Sequence, residues 1–237
     1  MQARTVISAT LKQWFAPSCV LCDAVSDDDI SLCTGCQQDL PWLLHCCQQC
    51  GIPLDNTGLS VCFECESNAP AVDSVICALH YATPVDHLIQ RMKYAHQLSY
   101  AKVLGELFAR HLSQMDFERP DAILPVPLHK ARLRTRGFNQ TVELYRELSK
   151  HFPIPLLKDV KRVKNTSHQT QIKGDERAHN LQGAFAIKAG SKLPQHVVIL
   201  DDVITTGATT NTLAKLLKES GVEKVSVWAI ARATERT

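Results

Sequence analysis

Residues 197–210 read VVILDDVITTGATT, a string with three features that bear on chemistry. Two adjacent carboxylates, Asp201 and Asp202, follow the apolar run Val197 to Leu200, which reads as a buried strand. Acids at the end of such a strand are costly to desolvate unless something binds them, and paired carboxylates accept hydrogen bonds from two vicinal sugar hydroxyls. Thr205-Thr206-Gly207-Ala208-Thr209 then makes a hydroxyl-rich turn before a helix with apolar Leu213, Leu216 and Leu217. Backbone N–H groups and threonine hydroxyls in such a turn suit a phosphate, the glycine permits close backbone approach, and the helix N-terminus adds a favourable dipole. Together these parts fit a ribose 5-phosphate. The expected location is the carboxyl end of a parallel strand, where open α/β sheets bind ligands.

A different chemistry occupies the other end of the chain. Nine of the ten cysteines lie between Cys19 and Cys65, in four C-x-x-C pairs: Cys19/Cys22, Cys33/Cys36, Cys47/Cys50 and Cys62/Cys65. Eight thiolates are enough for two tetrahedral zinc sites with four sulfur ligands each. A disulfide framework is the competing reading. The N-terminus lacks the apolar core and cleavage pattern of an export signal, so a cytoplasmic, reducing location and metal are expected. Sequential pairing, first with second and third with fourth, and cross-braced pairing, first with third, both fit the spacing. Cys46 stands beside Cys47 as an alternative ligand, and His45 is a further candidate. Cys77, within SVICALHY, reads as a buried small hydrophobe.

Two further segments carry charge. LPVPLHKARLRTRGFNQ, residues 124–140, ends a strand and then delivers His129, Lys130, Arg132, Arg134 and Arg136 in a basic loop before Gly137. Arginine forks bind pyrophosphate oxygens in bidentate fashion, and Arg136 and Gly137 are the leading anion contacts. Residues 158–185 are long, polar and interrupted by Gly174, as a mobile lid would be. Arg162, Gln169, Arg177 and Asn180 are its candidate ligand contacts.

Positioning these groups needs a parallel sheet, and the alternation of strand and helix patterns beyond residue 70 supplies one. Strands are expected at Ser74–Tyr81, Ala122–Pro125, Ala184–Ile187, Val197–Leu200 and Val225–Ile230. One helix opens at Pro84, with Val85, Leu88, Ile89 and Met92 on one face. Others run from about Tyr100 to Leu112 and through Val142, Leu144, Tyr145 and Leu148. The polar stretch Glu66 to Ala71 marks a boundary, giving a Cys-rich module at 1–68 and an α/β domain at 69–237. Residues 1–66 hold 2 basic and 8 acidic side chains, a formal −6, against 24 basic and 16 acidic in the remainder, +8. The small module is too short and polar for a large core, so metal is expected to supply its folding energy. The basic remainder is the better surface for a nucleic-acid backbone. No apolar run reaches 18 residues, which excludes a transmembrane helix by this criterion.

The 197–210 string is similar to the PRPP-binding signature of type I phosphoribosyltransferases at nearly every position. With the 124–140 block, the series Gln169, Arg177, Asn180, Ala184-Phe185 and the four C-x-x-C pairs, the chain resembles the ComF/GntX family from Cys19 to Arg232. The departures are the doubled Cys46-Cys47 and Ala208, where serine is frequent. This resemblance implies a type I phosphoribosyltransferase-like parallel-sheet domain preceded by a double zinc ribbon. It implies PRPP contacts from Asp201, Asp202, Thr205, Thr206, Gly207, Ala208, Thr209, Arg136, Gly137 and Arg177, with Mg²⁺ accompanying PRPP. Asp201 and Asp202 are the candidate catalytic residues. The role it implies is cytoplasmic DNA uptake in natural transformation, or use of DNA as a nutrient, alongside DNA-uptake proteins. The alternative is a non-catalytic module that handles single-stranded DNA or regulates, using the phosphate site only for binding.

Overall fold

The computed structural model describes residues 17–26, 30–55, 58–94, 97–165 and 181–234. Packing divides the chain into two compact units, residues 1–40 and 41–237. Within the first unit, helix α1 (Thr34–Gln38) starts directly after Cys33. Within the second, α2 (Phe63–Ser67) starts directly after Cys62. The second cysteine group therefore shares a compact unit with the sheet.

Strands β1 (Ser74–His80) and β2 (Ala122–Pro125) are joined through helices α3 (Val85–Tyr94) and α4 (Leu98–Ser113). Next come α5 (Lys130–Arg136), α6 (Gln140–His151), β3 (Val160–Arg162), β4 (Phe185–Ile187), β5 (His196–Ile204), α7 (Ala208–Glu219) and β6 (Lys224–Arg232). Four strands form one parallel sheet in the order β1-β6-β5-β2. Parallel strands flanked by helices are buried on both faces and read as continuous apolar runs, as β5 and β6 do. On one face Val197, Ile199, Val225, Val227 and Ala229 join Leu213, Ala214 and Leu217 of α7 in a single core. On the other, Trp228 meets Phe108 of α4 edge-on at 6.5 Å. Val85, Leu88, Ile89 and Met92 are all buried, as the helical spacing predicts.

Three elements differ from the sequence expectation. β5 continues past Leu200 to Ile204, so the two acids lie within the strand rather than at its end. The ladder to β6 holds this extension, pairing Asp201 with Ala229 and Val203 with Ala231. The basic loop after β2 folds as α5, because His129 Nδ1 accepts from Ala131 N at 3.2 Å and Gly137 ends the turn at φ 78°. The start of the polar 158–185 stretch is a strand, β3, paired antiparallel with β4. Residues 166–180 of that stretch lie outside the described residues.

Both sheet edges are covered by main chain. Along β1, Leu43 N donates to Ala78 O and His80 N to Pro41 O, each at 2.9 Å, and Val75 N donates to Gln48 O at 2.6 Å. Along β2, Ile123 N donates to Pro155 O and Leu157 N to Ile123 O, each at 2.8 Å.

Across the amino end of the sheet, Ser74 Oγ donates to Ser226 Oγ, which meets His196 Nε2, both at 2.9 Å. Burial and the Lys224 charge hold the imidazole below its ordinary pKa, against Glu118 and Asp121. A histidine kept neutral in the fold but free to charge when unfolded subtracts stability as pH falls below about 6.5. The urea midpoint should therefore drop between pH 7 and pH 5.5, and His196→Gln should shrink that drop. An identical drop in the variant would assign the acid sensitivity elsewhere.

Candidate functional site

The sulfurs of Cys19, Cys22, Cys33 and Cys36 form one group and those of Cys47, Cys50, Cys62 and Cys65 a second, all within 4.8 Å of one another in each. A zinc ion with four sulfur ligands at about 2.3 Å sets S···S edges of roughly 3.8 Å. Cys22–Cys33 at 3.6 Å and Cys50–Cys62 at 3.7 Å fit that tetrahedron. The grouping is sequential, and Cys47 rather than Cys46 belongs to the second group. Cys46, whose main chain pairs with Pro53, and His45 are in neither group. Burial works against ionisation at Cys19 and Cys47. Backbone N–H groups outweigh it, bringing Cys19 down to about 6 and Cys47 to about 7. One of these, Cys62 N, points at Cys47 Sγ at 3.3 Å. Such thiols are prepared for a cation. Cys77 is buried in β1, and burial pushes its thiol up, as suits a core residue.

The second centre is built on β5 and the turn that follows. Gly207, at φ 76°, is the N-cap of α7, a left-handed conformation natural to glycine. Thr206 Oγ1 accepts from Ala208 N at 3.3 Å, and Thr210 Oγ1 donates to Gly207 O at 2.9 Å. A small concavity lined by Asp201, Thr205, Gly207, Ala208 and Thr209 opens at this helix N-terminus. Of the residues expected to hold the sugar phosphate, Asp201, Thr205, Gly207, Ala208 and Thr209 line it, with Thr205 exposed and Thr206 to Thr209 half-buried.

Asp202 is buried, and its Oδ2 lies 2.5 Å from Lys93 Nζ at the end of α3. Its own N–H donates to Asp201 Oδ1 at 2.9 Å. The two acids are driven apart electrically. Burial, with the Asp202 charge next, raises Asp201 well above the carboxylate range. Burial also opposes ionisation of Asp202, but Lys93 and the Asp201 hydrogen bond overcome it and hold Asp202 below that range. Lys93 is raised despite burial, chiefly by Asp202. A raised and a lowered carboxyl side by side offer a diol oxygens of unequal basicity.

Lys93 is the functional residue that the sequence reading did not single out. Its only local signal was a lysine in the last turn of an amphipathic helix, where a cation ordinarily complements the helix dipole. Arg136 contributes charge to the same centre, lowering Asp202. Its Nη1 is held at 2.6 Å by Oε1 of Gln140, a buried residue that opens α6. Gly137 lets the chain turn between the two helices, and Asn139 caps α6 by accepting from Thr141 N. Arg162 is depressed by burial and by Arg132 and supported by Asp201, so these three share one field. Gln169, Arg177 and Asn180 lie outside the described residues.

Fold and site define a phosphoribosyltransferase-type α/β domain joined to a Cys-rich double zinc ribbon. Residues 10–66 match the double zinc ribbon domain and residues 93–237 the phosphoribosyl transferase domain. The chain belongs to the ComF family. It is 37% identical over 211 residues to competence protein F of Haemophilus influenzae, covering 85% of this chain and 90% of that protein. DNA utilization protein YhgH of Escherichia coli K12 is 31% identical over the same shares, 85% and 90%. Competence protein ComFC of Bacillus subtilis is 26% identical, covering 91% of this chain and 95% of that protein. Among solved structures, adenine phosphoribosyltransferase of Leishmania tarentolae aligns over 70% of this chain and 93% of its own, at 13% identity and TM-score 0.38. At that score the likeness adds nothing to the family assignment, which rests on the sequence matches. Among the described residues, no helix is long and apolar enough to cross a membrane.

Proposed function

We propose that the β5–α7 turn binds PRPP, or a nucleotide presenting the same ribose 5-phosphate, and that this binding serves DNA uptake or the use of DNA as a nutrient. The observation that carries the binding is the Asp201–Asp202–Lys93 centre set beside the glycine-capped N-terminus of α7. The DNA role follows from the names of the relatives, competence protein F and DNA utilization protein YhgH.

In this reading the two carboxyls hold the vicinal ribose hydroxyls, and the turn from Thr205 to Thr209 holds the 5-phosphate. Arg136, aimed by Gln140, faces the pyrophosphate, and Arg177, outside the described residues, is the further candidate contact. Mg²⁺ bound with PRPP would neutralise pyrophosphate charge. The electrically preorganised acid pair would favour positive charge developing at the sugar, provided an acceptor is present. Asp202, the ionised member, is the candidate base toward that acceptor. Single-stranded DNA is the candidate macromolecular partner, tracked by Lys130 to Arg136 and by Lys158, Lys161, Arg162 and Lys164. DNA-uptake proteins are the candidate protein partners. The thiol-rich metal groups suit the reducing cytoplasm.

Calorimetric titration with PRPP and Mg²⁺, beside the Asp201→Asn/Asp202→Asn variant, tests the site. The expected result is saturable binding to the wild type that falls at least tenfold in the variant. Equal binding by both proteins would remove the ribose from the acid pair. DNA contact has its own readout: affinity for a single strand should fall steeply with salt, and reversing charges in Lys130–Arg136 should flatten the slope.

A further inference from the structure

Arg232 ends β6 and is only 7% exposed, yet its guanidinium is spent on main-chain carbonyls. Nε donates to Cys50 O at 2.9 Å and Nη1 to Ile204 O at 3.3 Å. Nη1 also donates to Thr205 O and to Ala233 O. A guanidinium presents its donors in a rigid fork, so a single side chain fixes several acceptors relative to one another. Here the acceptors belong to a ligand of the second metal group, to the first residue of the phosphate turn and to the end of β6.

Both ends of this strut line one cavity of about 450 Å³, with Cys50, Cys62, Thr206, Gly207, Asn211 and Arg232 in its wall. Besides Arg232, Ala71 N donates to Asn211 Oδ1 at 2.7 Å on α7. On the metal side, Gly51 at φ 71° presses the knuckle onto the sheet. A Cβ there would stand 3.0 Å from Val75 Cγ1 and 3.1 Å from Cys77 Sγ. Where Cys50 O sits is therefore fixed by the knuckle closing around its ion and by its contact with β1.

We infer that Arg232 couples the second cysteine group to the phosphate turn, so that metal at Cys47, Cys50, Cys62 and Cys65 favours the turn geometry that accepts a sugar phosphate. The coupling rests on the PRPP reading of that turn. It is reciprocal by necessity: whatever factor the metal adds to sugar-phosphate affinity, the sugar phosphate adds to metal affinity. Arg232 acts in this as a positioning residue, through the carbonyls of Cys50 and Thr205.

The test is equilibrium competition of the zinc-loaded protein against a metallochromic chelator, with and without saturating PRPP and Mg²⁺. PRPP should move the loss of one zinc to chelator concentrations about tenfold higher and leave the other unmoved, within the range usual for coupled sites. A Cys19→Ser variant, left with only the second group, should keep the shift. Arg232→Lys should retain both zincs and lose the shift, because an ammonium cannot bridge the same carbonyls. Two zincs that titrate identically with and without PRPP, while calorimetry shows PRPP bound, would overturn the coupling alone. A shift that survives in Arg232→Lys would overturn the assignment to Arg232. No PRPP binding by the wild type would bring down the sugar-phosphate reading and the coupling with it.

Discussion

Metal analysis of the purified chain should return about two zinc ions, and stripping them should unfold residues 17–40 while the parallel sheet stays folded. The apolar core of that first unit is small: Ile30, Leu32 and Leu40 are its buried aliphatic residues among those described. Such a core cannot offset the chain entropy of some twenty ordered residues, at about 1.5 kcal/mol each. A structural zinc contributes on the order of 10 kcal/mol or more at neutral pH. The second group lies in the unit held by the sheet core, so its removal should loosen residues 41–66 and leave β5 and β6 intact. Amide exchange separates the two responses. Protection in 17–40 should vanish on chelation, protection in 197–203 should persist, and acid should mimic the chelator as the thiolates protonate. A single zinc per chain, or unchanged protection in 17–40 after metal loss, would refute the two-site structural role.

The second large effect concerns the Lys93–Asp202 pair. Lys93→Met leaves a buried carboxylate beside the half-buried Asp201, and Asp202→Asn leaves a largely buried ammonium. Each single change should destabilise the protein by about 2 kcal/mol at pH 7, below the usual cost of breaking a fully buried pair because Lys93 retains some exposure. The double variant should be less destabilised than the sum, since neither ion is then left unpaired. The pH dependence has a definite sign. Asp202, held low by Lys93, contributes stability that is present above its unfolded pKa near 3.9 and lost as pH falls through its lower folded value. Without Lys93 burial raises it instead, so the Lys93→Met deficit should grow as pH rises from about 4. Asp201 is already raised, so Asp201→Asn should be neutral or stabilising at pH 7 while PRPP affinity falls. Thermal melts of the wild type and the four variants at pH 4.5 and pH 7 read the stability effects, and calorimetry reads the PRPP affinity. Additive losses, or a Lys93→Met deficit independent of pH, would show that the pair carries no coupling.

The contrast between Asp202 and Lys93 shows what the sequence could and could not disclose. The acid pair, the threonine turn and Gly207 are contiguous, and their types and order carry the chemistry. The C-x-x-C spacing likewise shows eight thiols suited to two ions, although sequential against cross-braced pairing, and Cys47 against Cys46, needed the geometry. Lys93 reaches Asp202 from more than a hundred residues upstream, and only the packing of α3 brings them together. No local pattern distinguishes it from an ordinary helix-terminal lysine. The basic segment after β2 was legible in charge but not in shape. α5 buries none of its residues, so it has no apolar period to betray a helix, only a histidine cap and a left-handed glycine. β3 was hidden for a similar reason: Val160–Arg162 is three residues long and sits in a polar run. The extension of β5 through the acids followed from its ladder with β6, which apolarity alone cannot show.

The main chain lying along β1 has a consequence for handling the protein. Pro41 to Gln48 occupies hydrogen-bonding positions that a strand from another molecule would otherwise take, and it contains Cys47 of the second cysteine group. Loss of that group's ion frees the segment and bares a row of amides on an intact parallel sheet, which is a template for strand addition by a second copy. Chelator-treated samples should accordingly turn turbid at high concentration while their circular dichroism still reports a folded sheet. Polymerisation of this kind, rather than denaturation, would then limit the working life of metal-depleted preparations.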